Sequence, residues 1–170
     1  MAYRIERGRA SQAAQLQQIE LAAGARFRDV GMADIADHDP TSTAVFEDRA
    51  AAGQLLVAHD DAGAIADFLI WSAKDGMAYI EEVAVHTVNA GHRVGVQLID
   101  RLAQDARGRF PAITLSTFRD VPWNGPYYAK LGFEEFPYDQ AGPDHAQSWQ
   151  DQADNGLDMS RRLFMSRALK

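Results

Sequence analysis

The sequence predicts a mixed α/β (α+β) domain with a central, mostly antiparallel sheet, one parallel strand pair and flanking helices. Three observations predict it. Strand-like segments bounded by tight turns follow one another over residues 55–86, the pattern of an antiparallel meander. One long amphipathic helix at 91–107 then separates the last of these strands from an apolar strand at 112–117. A single crossover helix lets those two strands lie parallel. The 170 residues, 46% of them hydrophobic and 24% charged, suit a single domain over 1–170 that can bury a core.

The elements follow in order. Tyr3–Glu6 reads as a first strand. Ser11 is placed to cap a helix carrying Ala14, Leu16, Ile19, Ala22 and Ala23, which ends near Gly24. A polar stretch over 28–39 leads to Pro40-Thr41-Ser42, which opens a second short helix closed by Gly53. Leu55–His59, Ile65–Ser72 and Tyr79–His86 are strands, joined by turns at Asp60–Gly63 and Asp75-Gly76. In the 91–107 helix, Val94, Leu98, Leu102 and Ala106 recur at four-residue spacing with Ile99 beside them. Ala112–Thr117 is apolar enough to be a central strand, and a short helix over Gly125–Lys130 precedes Gly132-Phe133. A polar stretch, 137–158, separates this region from a last strand around Met159–Phe164.

Charge and composition exclude several functions. Seventeen basic against 24 acidic residues give a net charge of −7 and a pI near 5.1. That balance argues against nucleic acid and against an anionic membrane surface. With no cysteine there are no disulfides, thiolate metal sites or cysteine nucleophiles. The five histidines, His38, His59, His86, His92 and His145, have no H-x-x-H or H-E-x-x-H spacing, so no metal site is expected. The first residues lack the apolar run of a signal peptide, and no segment is long and apolar enough to span a bilayer. A cytoplasmic protein is expected.

The chemistry concentrates in residues 81–102, EEVAVHTVNAGHRVGVQLIDRL, a strand, a short loop and a helix. The loop, with Gly91 and Gly95, delivers a helix N-terminus just past a strand end. Such a terminus offers unpaired N–H groups and a positive dipole end, which suit a phosphate. His92 and Arg93 put positive charge where it opposes the macrodipole. They are either two solvated basic residues or partners of a bound polyanion. Neither G-x-G-x-x-G nor G-x-x-x-x-G-K-[ST] is present, so NAD and ATP are not the expected ligands.

With a second segment, LSTFRDVPWNGPYYAKLGF at 115–133, this region resembles the GNAT superfamily of acyl-CoA-dependent N-acetyltransferases. Glu82-Val83-Ala84-Val85-His86 resembles the family's fourth strand, and Tyr128-Ala129-Lys130-Leu131-Gly132-Phe133 its Y-x-K-x-G-F signature. The resemblance covers residues 54–133. The family loop [Q/R]-x-x-G-x-[G/A] falls on Ala90–Gly95. Ala90 replaces the first Gln or Arg, Arg93 stands at the first glycine, Gly95 is kept and Gly91 is extra. Arg93 either adds a charge-assisted bond to phosphate or narrows the site.

The resemblance implies a sheet whose parallel pair splays around acetyl-CoA, the acyl donor. The pantetheine arm would lie along Val83, Ala84 and Val85, bonding the backbone of Val83 and Val85. The diphosphate would sit on Gly91, His92, Arg93, Val94, Gly95 and Val96. Direct attack in a ternary complex needs a base for the ammonium, stabilisation of the oxyanion and a proton for the leaving thiolate. No covalent nucleophile is needed, in keeping with the missing cysteine and G-x-S-x-G motif. Tyr128 matches the family's general acid; its other reading is a core tyrosine beside Tyr127. Glu81, then Glu82, are the base candidates, each otherwise a solvated strand carboxylate. As strand neighbours they face opposite sides of the sheet. Asn124 either bonds the pantetheine or caps the short helix after it.

The implied acceptor is a primary amine of a small molecule. The alternatives are a protein or peptide amine, or a non-catalytic acyl-CoA-binding regulatory module. Residues 137–158 hold Asp139, Asp144, Asp151, Asp154 and Asp158 without a Lys or Arg, and 29–39 hold four more acids. These are solvated loops or a rim that attracts a cationic amine. Family members often pair, so a homodimer is expected.

Overall fold

The computed structural model describes residues 2–89 and 91–170, with Thr87 described by its backbone alone. Among the described residues, seven strands form one sheet: β1 (Arg4–Arg7), β2 (Leu55–His59), β3 (Ile65–Lys74), β4 (Met77–Val85), β5 (Ala112–Phe118), β6 (Glu134–Phe136) and β7 (Arg162–Ala168). Their order is β1-β2-β3-β4-β5-β7-β6. The pairs β1–β2, β2–β3, β5–β7 and β6–β7 are antiparallel. β4 and β5 are parallel, with Ala78 opposite Ile113 and Ile80 opposite Leu115, as a single crossover helix requires. The helices are α1 (Ala13–Gly24), α2 (Ala33–Ala36), α3 (Thr43–Ala51), α4 (Val94–Ala106), α5 (Gly125–Lys130) and α6 (Pro143–Asp154). Among the described residues, no helix is long and apolar enough to cross a membrane.

Four expectations are corrected. Ser11 does not cap α1: it lies inside a 3-10 turn, Ala10–Gln12, where Gln12 Oε1 accepts from the Arg9 N–H at 2.8 Å. α4 begins at Val94 instead of Gly91, because Gly91 (φ +85°) and Arg93 (φ +61°) both have left-handed backbone that an α-helix excludes. Residues 137–158 contain α6; its only fully buried side chain is polar, His145, so no apolar stripe announces it. The last strand runs from Arg162 to Ala168, about one turn later than read, after a 3-10 turn at Met159–Arg161. The second helix does start just after Ser42, and the structure shows how: the Ser42 Oγ accepts from the Val45 N–H at 3.3 Å.

The chain packs as two compact units. The first takes the chain up to Trp71 and Glu82–Asp105, the second Ser72–Glu81 and Ala106–Lys170. In the first, Ala13, Leu16 and Ile19 of α1, Phe46 of α3, Leu55 and Val57 of β2, and Phe68 and Ile70 of β3 form a buried cluster. Phe46 meets Phe68 edge to face at 5.2 Å. Side chains of this size each contribute about 1.5–3 kcal/mol by leaving water. Strand alternation sends Asp67, Leu69 and Trp71 to the opposite face from Phe68 and Ile70. In the second unit, α6 packs through His145 and Trp149 against Phe164 of β7, and Phe164 stacks on Phe136 of β6 at 5.1 Å.

Candidate active site

In the first unit, the end of β4 leads into the turn that starts α4. Val83 and Val85 are half-buried and Ala84 is 1% exposed. The His86 N–H donates to Asp67 Oδ1, and a 3-10 turn, Thr87–Asn89, closes with the Asn89 N–H on the His86 carbonyl at 2.8 Å. Ala90, the first position of the loop motif, lies outside the described residues. Arg93 then stands as the residue before the helix, its carbonyl accepting the Gln97 N–H at 3.1 Å. The N–H groups of Val94, Gly95 and Val96 therefore have no acceptor within the helix. They converge on the point where an anion gains most from the helix dipole. His92 and Arg93 are exposed beside it, while Val94 and Gly95 are buried.

Behind this loop stands a polar group that the sequence reading missed. Asp67 is 0% exposed in the middle of the apolar β3, which is the signal that could have found it. Burial pushes its carboxyl up to about 6, although the His86 N–H and the Asn89 side-chain amide favour the charged form. Tyr3 is 8% exposed, and its hydroxyl lies 3.4 Å from Asn89 Oδ1 and 3.2 Å from His92 Nδ1. Burial, then the Asp67 charge, raise the Tyr3 hydroxyl pKa, with smaller effects of Asp60 and Asp61.

The second unit holds the Tyr128 region. Asn124 precedes α5 but gives it no side-chain cap. Its Oδ1 instead accepts from Thr117 Oγ1 at 2.8 Å and from the Phe118 N–H at 3.4 Å, which ties the start of α5 to β5. The capping alternative is thereby corrected. Gly125 is required here, because a Cβ would stand 2.8 Å from the Arg119 carbonyl oxygen. Tyr128 is half-buried on α5, edge to face with Tyr127 at 5.3 Å and with Phe133 at 5.7 Å. Gly132, at φ +90°, ends the helix, and the Phe133 N–H returns to the Tyr128 carbonyl at 3.1 Å. The signature thus builds a short helix with a glycine stop and an aromatic shelf for Tyr128.

Glu81 belongs to this unit as well. It is half-buried, and Ser72 Oγ on β3 donates to its Oε1 at 2.9 Å. Tyr79, two residues earlier and so on the same face, is 5% exposed and bonded to Ser148 Oγ of α6 at 3.1 Å. Gln152 of α6 extends the polar row: its Oε1 accepts from Ser116 Oγ at 3.0 Å and from Arg162 Nη2 at 2.8 Å. Glu82, half-buried, falls in the first unit and takes the other face of β4. Tyr79, Ser148, Gln152 and Arg162 were not read as site residues, because the helix that carries two of them was not. Among the described residues, no cluster of His, Asp and Glu could hold a metal ion.

A family model described as an acetyltransferase (GNAT) domain matches residues 51–135. The fold is similar to that of the PaiA N-acetyltransferase from Thermoplasma acidophilum, solved in complex with coenzyme A. The TM-score is 0.73 at 12% identity over 99% of each chain. An acetyltransferase of the GNAT family from Staphylococcus aureus gives 0.72 at 16% identity, over 99% of this chain and 100% of that one. The ribosomal-protein-S18-alanine N-acetyltransferase of Escherichia coli gives 0.64 at 15% identity, over 99% and 95%.

Proposed function

The chain belongs to the GNAT family of acetyltransferases, and we propose that it moves the acetyl group of acetyl-coenzyme A onto a primary amine of a small molecule. One N-acetyltransferase domain over residues 1–170 would carry the reaction. The observation that supports the donor most strongly is the start of α4. Two left-handed residues, Gly91 and Arg93, leave the N–H groups of Val94, Gly95 and Val96 free of helical acceptors at the end of β4. The diphosphate binds there, with His92 and Arg93 supplying charge, and the pantetheine runs along the backbone of Val83, Ala84 and Val85. Asn124 presents its side-chain amide N–H₂ to the pantetheine, because Oδ1 is already engaged.

In the reaction, Glu81 accepts a proton from the bound ammonium, directly or through a water. The neutral amine attacks the thioester carbonyl, the C–S bond breaks, Tyr128 donates its phenolic proton to the departing thiolate, and the acylated nitrogen sheds its extra proton to restore the phenol. Glu82 is the second candidate base. Positioning both substrates supplies much of the acceleration, so the protein needs no covalent intermediate.

The test is calorimetry with acetyl-coenzyme A, followed by a panel of small amines assayed for thiol release. Micromolar binding and turnover are expected, with Tyr128→Phe lowering kcat by about a hundredfold at unchanged donor affinity. Absence of donor binding would overturn the reading. Binding with no turnover on any amine or peptide, and no effect of Tyr128→Phe, would mean a non-catalytic acyl-CoA-binding module. Turnover confined to peptides would move the acceptor to a protein amine.

A further inference from the structure

We propose that His92 meets the coenzyme A diphosphate as an imidazolium, held by hydrogen bonds that run from His92 through Tyr3 to Asn89, whose side-chain amide faces the buried Asp67 carboxylate. This rests on the donor site proposed above and adds Tyr3, just ahead of β1, and Asp67 of β3, which do not belong to the loop.

The direction of the relay follows from the donors and acceptors available. The Asn89 amide nitrogen lies 3.5 Å from the Ala66 carbonyl oxygen and faces the Asp67 carboxylate, both of which only accept. Its Oδ1 is therefore the end turned to Tyr3, whose hydroxyl donates to it at 3.4 Å. With its proton committed, the Tyr3 oxygen accepts, and the group beside it is His92 Nδ1 at 3.2 Å. Nδ1 thus carries hydrogen. A His92 that also donates from Nε2 to a phosphate must hold a second proton, taken from solvent. The positive charge then lies between the diphosphate and a relay that ends at Asn89, beside a buried anion.

Asp67 has a reason to be there. A fully buried carboxylate is costly unless its oxygens are engaged, and Oδ1 takes the His86 N–H while Oδ2 has no hydrogen-bond partner among the described residues. A counter-charge at the far end of the relay makes use of that position. Asp60 and Asp61 on the β2–β3 turn also act on the Tyr3 hydroxyl, and the neighbouring titratable or charged residues in the chain are His86, just past β4, and the exposed Arg93 in the loop.

The experiment is calorimetry of the full chain with coenzyme A in buffers of different ionisation enthalpy, across pH 6 to 8. The coenzyme's own 3′-phosphate and the Asp67 carboxyl, pushed up to about 6, also titrate in or at the edge of this range; both are kept in His92→Gln, which supplies the baseline. Expected is a proton uptake by wild type above that baseline, with affinity falling as pH rises. Tyr3→Phe, which removes only the hydroxyl, should weaken binding by about threefold to tenfold and return proton uptake to the baseline. Asp67→Asn should act in the same direction, and Tyr3→Phe added to His92→Gln should change nothing further. Wild-type proton uptake persisting in His92→Gln or in Tyr3→Phe overturns the relay while leaving the donor site standing. No coenzyme A binding by wild type overturns the donor site itself.

Discussion

The His145 ring has Nδ1 2.6 Å from Asp75 Oδ2 and Nε2 2.7 Å from Thr114 Oγ1, so a fully buried imidazole ties α6 to the β3–β4 turn and to β5. Asp75 also accepts from the backbone N–H groups of Asp144 and His145. Replacing it with alanine leaves three donors without their acceptor, among them Nδ1 of the fully buried His145 ring. Asp75→Ala should destabilise the protein by about 3 kcal/mol in urea unfolding, and Asp75→Asn by clearly less. Equal losses in both would show that the acceptor role is not what matters. Burial works to raise the Asp75 carboxyl, but these bonds hold it below its ordinary 3.8. Its contribution is therefore complete above that value and is lost as pH falls through the lower folded value.

Asp67 has the opposite sign. Its carboxyl is pushed up from 3.8 to about 6, so between those values the folded chain keeps a proton that the unfolded chain has released. Its contribution to stability is greatest below the unfolded value, falls as pH rises through this window, and is gone above the folded one. Asp67→Asn lacks this dependence. Relative to that variant, wild type should lose about 2–3 kcal/mol between pH ~4 and pH ~7, read from denaturant midpoints. Parallel profiles for the two proteins would refute it.

Arg93 stands at φ +61°, where the resembled loop pattern has a glycine. A left-handed conformation costs a side chain about 1–2 kcal/mol, partly offset in the glycine variant by chain entropy. Arg93→Gly should therefore raise stability by about 0.5–1 kcal/mol. It should also weaken coenzyme A binding by about tenfold, the worth of one charge-assisted bond to phosphate. Tighter binding by the variant would mean that the side chain obstructs the loop.

Glu81 and Glu82 are neighbours on β4 and face opposite ways, so their substitutions separate the two base assignments. Glu81→Gln should lower kcat by about a hundredfold at unchanged donor affinity. Glu82→Gln should lower kcat by less than about threefold. The reverse pattern assigns the base to Glu82.

Much of this was legible in the chain. The strands from Leu55 to Val85, the helix opening at Pro40-Thr41-Ser42 and α5 with its Gly132 stop follow from side-chain alternation and turn chemistry, which act over a few residues. The loop and the Tyr128 signature were legible for the same reason, since each lies within one short segment. α6 was not, because its buried anchor is a histidine whose partners, Asp75 and Thr114, are 70 and 31 residues away.

The sequence alone determined the mixed α/β class, the parallel pair implied by a single crossover helix, and the two segments that carry the family resemblance. Tertiary structure decided where α4 starts, that Asn124 binds β5 instead of capping its helix, and that Tyr3, Asp67, Asn89 and His92 converge. The division is physical. Periodicity and turn propensity are local properties of the chain. A buried polar network is defined by which donors and acceptors meet once distant strands have paired, and no local pattern encodes that meeting.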